Sequence, residues 1–243
     1  GLDVGQYGVS TNFDVSTSTY EGAMSISAKH TQPRGIAWNS DGTKLFIVDT
    51  TLFPTYAAGV NEYAAPTPFT LGGPPTYTRS FSLSSQDSTP FGIAFNADGT
   101  KMFISGDQNN AVFEYALTTG FDISTASFTD SFSVAAQDTA PRGLTFNTTG
   151  TKMYVVSAAG NDVNEWILST GFDVSTASYS QNFSVAAQET APKGISFNPE
   201  ASKMFIVGDY GDDVYEYRID QLLTLGSGSF AAADVGKTIE ANS

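Results

Sequence analysis

The sequence predicts an all-β fold: a four-bladed β-propeller with four antiparallel strands per blade, closed by its N-terminal strand. Three observations predict it. One motif recurs four times at a near-constant interval, each copy is followed by further strand-like runs, and a lone copy of the last run precedes the first motif.

The motif copies are PRGIAWNSDGTKLFIV from Pro33, PFGIAFNADGTKMFIS from Pro90, PRGLTFNTTGTKMYVV from Pro141 and PKGISFNPEASKMFIV from Pro192. Their glycines, Gly35, Gly92, Gly143 and Gly194, stand 57, 51 and 51 residues apart. The longer first interval holds an insertion around TTLFPTYAAG. A second signature follows each motif: VNEYA, VFEYAL, VNEWIL and VYEYRI, carrying Glu62, Glu114, Glu165 and Glu216. A third is FDISTASFTDSFSV from Phe121 and FDVSTASYSQNFSV from Phe172, with a degenerate form from Phe69. Each repeat therefore reads as four strands: Gly-Ile-Ala-Phe, Lys-Met-Phe-Ile-Val, Val-x-Glu-Tyr and Tyr-Ser-x-x-Phe-Ser-Val. All are short, apolar or alternating, and bounded by Gly, Asn, Asp and Pro. A β-sandwich is the alternative, but it needs no such period.

The ends support a ring. FDVSTSTYEGAMSIS begins at Phe13, which precedes Gly35 by 22 residues, as Phe121 precedes Gly143 and Phe172 precedes Gly194. The last repeat reaches its third strand at Ile219 without a Phe-Asp segment after it. Residues 1–12 read as a lead-in, 13–219 as the propeller, and 220–243 as a linker or the start of a further module. Met24–Ser27 is expected to pair with the strand around Tyr215–Tyr217, removing two exposed sheet edges.

Most recurring residues have structural readings. Asn39, Asn96, Asn147 and Asn198 open the turn between the first two strands, and Asp41-Gly42 and Asp98-Gly99 supply turn chemistry. The fourth copy, PEAS, lacks the glycine, so its turn is expected to differ. Lys101 is expected opposite Glu114, with the same separation of 13 for Lys152–Glu165 and Lys203–Glu216.

Composition excludes several functions. The net charge is −14, from 25 acidic and 11 basic residues, with no basic cluster. Such a surface repels phosphate backbones, so neither nucleic acid nor an anionic membrane is an expected partner. No apolar run is long enough for a membrane helix. There is no cysteine, which removes thiolate metal sites and disulfides. The one histidine, His30, sits in the loop SAKHTQPRG and reads as a polar surface residue. No nucleophile elbow, phosphate loop or zinc spacing accompanies it, so no catalytic residue and no cofactor is expected. Asp209, Asp212 and Asp213 in GDYGDD offer hard oxygens for calcium, without the spacing of a known calcium loop.

Recognition in repeat folds is expected where the copies differ. Arg34, Phe91, Arg142 and Lys193 occupy one equivalent position near the axis, and three cations with an aromatic suit an anionic or sugar ligand. The competing reading pairs the cations with Asp87, Asp138 and Glu189 of the same loops. The first-repeat insertion, Thr50 to Gly59, presents Phe53 and Tyr56 as a second binding patch.

GIAFNADGTKMFISG, VFEYAL and FDISTASF resemble the YVTN/NHL-like propeller repeats of tailed-phage structural proteins and bacterial surface proteins, over Phe13 to Ile219. The tail from Ser227 resembles segments that join modules in phage tail and fibre proteins. The resemblance implies a virion component, tail-associated and without catalysis, concerned with adhesion or host recognition. Its implied partners are other virion proteins and a host-surface glycan or protein. A secreted or cell-surface bacterial binding propeller is one alternative, and an enzyme resembling the propeller lactonases is another.

Overall fold

The computed structural model describes residues 2–52, 57–73, 75–211 and 213–219. It is an all-β, four-bladed propeller. The N-terminal hairpin joins β1 (Asp3–Val9) to β2 (Ser18–Ser25). Blade 1 holds β3 (Pro33–Trp38), β4 (Lys44–Leu52), β5 (Ala57–Ala64) and β6 (Thr76–Ser82). Blade 2 holds β7 (Pro90–Phe95), β8 (Lys101–Gly106), β9 (Ala111–Leu117) and β10 (Ala126–Ser133). Blade 3 holds β11 (Pro141–Phe146), β12 (Lys152–Ser157), β13 (Asp162–Leu168) and β14 (Ala177–Ser184), and blade 4 holds β15 (Pro192–Phe197), β16 (Lys203–Gly208) and β17 (Val214–Arg218). Within every blade the order along the sheet follows the sequence, and all neighbours are antiparallel. Among the described residues blade 4 has three strands.

The turn between the first two strands is the same in all four blades. An Asn carboxamide oxygen accepts the Lys backbone N–H of the next strand, at 2.8 Å for Asn39–Lys44, 2.9 Å for Asn96–Lys101, 3.0 Å for Asn147–Lys152 and 2.8 Å for Asn198–Lys203. Gly42, Gly99 and Gly150 hold φ near +70°. The fourth turn does not differ as expected: Ala201 takes φ +51° there and still donates to the Asn198 carbonyl at 2.9 Å. The turn hydrogen bonds impose the left-handed backbone whatever the side chain.

The three expected lysine–glutamate pairs form, Lys101–Glu114 at 2.6 Å, Lys152–Glu165 at 3.1 Å and Lys203–Glu216 at 2.8 Å, and blade 1 adds Lys44–Glu62 at 3.2 Å. Their register needs correction. Lys101 lies opposite Ala116 and Glu114 lies opposite Phe103, so the pair is diagonal. The long lysine stem spans the two-residue offset.

Cores form between blades. Phe46 and Val48 of blade 1 pack with Met102, Ile104, Tyr115 and Ile123 of blade 2, and the arrangement repeats between blades 2 and 3 and between blades 3 and 4. Polar clips join the same surfaces. Lys44 Nζ donates to the Phe121 carbonyl at 2.6 Å, and Lys101 Nζ to the Phe172 carbonyl at 2.5 Å. The residue two further on gives its N–H to the preceding blade's glutamate: Ile123 to Glu62 at 3.4 Å and Val174 to Glu114 at 3.0 Å.

The N-terminal strand is where the architecture departs from expectation. Met24 and Ser25 do not pair with β17; β2 pairs with β1, Met24 opposite Val4 and Tyr7 opposite Tyr20. Residues 3–9, expected as lead-in, form a third strand of the repeat. Asp3-Val4-Gly5-Gln6-Tyr7 matches Asp162-Val163-Asn164-Glu165-Trp166, and both carry a bulge after the fourth of these positions. The hairpin is thus the outer half of a blade. It lies between blades 4 and 1 and bridges them by packing. Toward blade 1, Met24, Ile26 and Val4 cover Leu45, Ile47 and Tyr63, and Leu71 N–H donates to Gln6 at 2.5 Å. Toward blade 4, Lys203 Nζ donates to the Phe13 carbonyl at 2.6 Å, and the Phe13 ring lies 6.4 Å from Phe205, as Phe121 lies 6.5 Å from Phe46.

Blade 4 also differs from the others at the turn position that the leader phenylalanine covers. In blades 1 to 3 the leader phenylalanine covers its own blade's turn glycine so closely that a Cβ would meet the ring at 2.3 Å for Gly42 and Gly99 and 2.2 Å for Gly150. Blade 4 has Ala201 at that point. Phe13 lies against Phe205 of blade 4 in the relation that Phe121 of blade 2 bears to Phe46 of blade 1.

Candidate functional site

The innermost strands β3, β7, β11 and β15 surround the axis. Gly35, Gly92 and Gly143 allow them to meet, since a Cβ at Gly35 would lie 2.3 Å from the Phe91 carbonyl and one at Gly143 2.8 Å from the Lys193 carbonyl. The residue before each glycine, at the start of its strand, is Arg34, Phe91, Arg142 or Lys193. A cavity of ≈ 660 Å³ runs along these strands, with Arg34, Phe91 and Lys193 in its lining.

The axial residues form a stack. The Arg142 guanidinium lies 4.0 Å from the Phe91 ring centroid, and that of Arg34 lies 4.9 Å from it. The expected pairing with Asp87, Asp138 and Glu189 is corrected. Arg142 pairs with Asp107 at 2.9 Å and Lys193 with Asp209 at 3.1 Å, both from loops between second and third strands. Asp87, Asp138 and Glu189 are buried and hold their own loops, accepting N–H bonds from Thr89 at 2.7 Å, Ala140 at 2.8 Å and Ala191 at 2.7 Å. They face loop backbone, not the axis. Arg34 is exposed and meets Gln32 Oε1 at 3.3 Å. Among the described residues it makes no ion pair, and a guanidinium can take a carboxylate in bidentate fashion.

Asp209, a calcium candidate, is engaged by Lys193, and Asp212 lies outside the described residues. No group of three or more His, Cys, Asp or Glu among the described residues could hold a metal ion. Phe53 and Tyr56 also lie outside the described residues, as does the segment 220–243.

His30 was expected at the surface and is 1% exposed. Nδ1 lies 3.1 Å from Asp49 Oδ2, and Nε2 lies 2.9 Å from the Tyr63 hydroxyl and 3.2 Å from Asn61 Nδ2. Comparing repeats explains the burial. His30 stands in the column of Asp87, Asp138 and Glu189, and Asp49 in the column of Gly106, Ser157 and Gly208. In blade 1 the loop-holding carboxylate has crossed to the neighbouring strand, where Asp49 accepts from Thr31 at 3.0 Å and from Gln32 and Thr51. Burial pushes the Asp49 pKa up, but the His30 hydrogen bond and the backbone N–H bonds outweigh it and hold it below the usual value. Tyr63 is pushed up to about 12 by burial. The network braces the loop before β3 against β4 and β5.

No family model and no curated protein sequence matches the chain. Solved structures do. A functionally unknown protein from Desulfotomaculum acetoxidans DSM 771 is similar at a TM-score of 0.54 and 13% identity, over 95% of this chain and 62% of that one. The β-propeller domain of Cps50 (Swd1) from Myceliophteria thermophila gives 0.50 at 9% identity, over 84% and 60%. The periplasmic gluconolactonase PpgL of Pseudomonas aeruginosa gives 0.50 at 18% identity, over 86% and 53%. The chain thus spans between about half and three-fifths of these propellers' lengths. At these identities the likeness is one of fold.

Proposed function

We propose that this propeller is a non-catalytic binding module whose axial end takes an anionic ligand of the acidic-sugar class. The observation that supports it is the Arg34–Phe91–Arg142 stack beside the cavity. Phe91 holds the two guanidinium groups at the axis, and the exposed Arg34 suits a sugar carboxylate. The cations also repel a divalent metal, which argues against a lactonase of metal-dependent type; the gluconolactonase likeness extends to fold only. The repeat's resemblance to those of tailed-phage structural proteins supports a virion surface as the setting, with a host-surface glycan as ligand and other virion proteins as neighbours.

Calorimetric titration with glucuronate oligosaccharides tests the binding. Saturable binding that weakens with salt and with Arg34→Ala is expected. Equal affinity for the neutral glucose oligosaccharide, or binding indifferent to Arg34→Ala, rejects it. Turnover of gluconolactone abolished by Arg34→Ala would reject the non-catalytic reading. Recovery of the protein only from culture fluid, and never from particles, would reject the virion setting.

A further inference from the structure

The hairpin β1–β2 supplies the outer half of a blade, and the place of that blade's inner two strands is a slot, the side of the axial cavity that opens between blades 4 and 1. On one wall are Gly194, Phe205, Val207 and Val214 of blade 4, and on the other Arg34 and Ile36 of blade 1. Each residue differs from its counterparts in a way that describes what fits there. Val207 is 42% exposed, whereas Val48 and Val156 are fully buried against the next blade's inner strand. Val214, opposite Val207 in the sheet, is 44% exposed, whereas Val60, Val112 and Val163 are buried. Ile36 is 49% exposed, whereas Ile93 and Leu144 are buried against the preceding blade. At Gly35, Gly92 and Gly143 the bare face meets a neighbouring strand's backbone, but a Cβ at Gly194 would meet only Val207 of its own blade. The edge of β1 away from β2 carries no ladder partner among the described residues.

From these we infer that the slot is a docking surface for one kind of partner: an inner β-hairpin of this same repeat, contributed from outside residues 2–219. An incoming first strand lays its backbone on Gly194 and its aliphatic side chains on Val207 and Val214. Its second strand adds to the edge of β1 that has no ladder partner among the described residues, as in strand-addition recognition. A second copy of the chain is not the source, because its four inner hairpins are each held between the axis and a third strand. The slot also defines a specificity. Third strands carry a glutamate that pairs with the hairpin lysine, but β1 carries Gln6, which is already bonded to Leu71 N–H and Glu21. The docking hairpin therefore needs no lysine at the start of its second strand.

The test uses the full chain and a fluorescently labelled peptide, PRGLTFNTTGTKMYVVS, the sequence of residues 141–157. Fluorescence anisotropy is expected to saturate at one peptide per chain, and the bound protein to melt at a higher temperature. Val207→Lys and Ile36→Lys, both at exposed positions that leave the fold intact by circular dichroism, are each expected to weaken binding at least about tenfold. Replacing the peptide's lysine by methionine is expected to leave affinity unchanged. Absence of saturation, indifference to both variants, or equal capture of the outer-strand peptide FDVSTASYSQNFSV overturns the proposal. So does a dimer in sedimentation that Val207→Lys dissociates, since the slot would then serve self-association.

Discussion

Lys203 Nζ donates to the carbonyl oxygen of Phe13 across 2.6 Å of space and 190 residues of sequence. The bond repeats the clips made by Lys44 and Lys101, and with the Phe13–Phe205 ring contact it ties blade 4 to the N-terminal hairpin. Lys152 supplies the control, because it pairs with Glu165 at 3.1 Å and makes no such carbonyl bond among the described residues. Lys203→Met and Lys152→Met each leave a buried glutamate without its cation. Lys203→Met is expected to cost about 1 kcal/mol more, the value of the added hydrogen bond, as measured by urea unfolding. Removing residues 1–28 uncovers Leu45, Ile47 and Tyr63 and is expected to lower the melting temperature; unchanged melting would contradict the bridging role of the hairpin.

Ala201 provides a test of opposite sign. Its φ of +51° is costly for any residue with a Cβ. Ala201→Gly is expected to stabilise the protein by about 0.5–1 kcal/mol. Gly150→Ala, beneath the Phe172 ring, is expected to destabilise by about 1–3 kcal/mol, because the methyl has no room. Paired denaturation curves decide both.

The Asp49–His30 brace predicts an acid limb. Asp49 has a folded pKa below its usual 3.8, so its contribution is present above that value and is lost as pH falls through the lower, folded one. Stability of the wild type is expected to drop more steeply than that of Asp49→Asn below about pH 4, although the variant is the less stable protein at pH 7. Asp138 acts in the opposite sense: burial raises its pKa, so its ionisation opposes folding as pH rises. Unfolding free energies of the wild type and both Asp→Asn variants, measured across the acid range, separate the two.

Phe91 carries both arginines, so Phe91→Ala should weaken acidic-sugar affinity several-fold, each cation–π contact being worth about 0.5–1 kcal/mol. Phe91→Trp should retain it. Calorimetry on the two variants checks this, with urea unfolding to show that the inner strand is preserved.

The blades were legible because the repeats carry their turn and strand chemistry locally, in Asn-x-x-Gly with Ala201 in the fourth copy, in Lys-x-Phe or Lys-x-Tyr, and in Val-x-Glu followed by Tyr or Trp. The strand β1 was not legible on those terms. Gly5, Gln6 and Gly8 replace the residues that mark a third strand, and the signal left is spacing: Tyr7 precedes Phe13 by six positions, as Trp166 precedes Phe172. His30 was hidden by a different device. A carboxylate moved between two columns of the repeat, and only reading His30 and Asp49 together reveals that the brace is conserved in chemistry but exchanged in position. The axial pairing was misassigned because Asp107 and Asp209 come from hairpins whose tips bend toward the axis, a matter of tertiary geometry that no local pattern encodes.

The close backbone approach at Gly35, Gly92 and Gly143 has a consequence for how such a molecule diversifies. Where peptide planes touch, no substituent is tolerated, so at the start of each inner strand the position open to variation is the one immediately before the glycine. The axial face is therefore written in an alphabet of one letter per repeat, here Arg, Phe, Arg and Lys, and a change of target requires rewriting letters without touching the grammar of the blades.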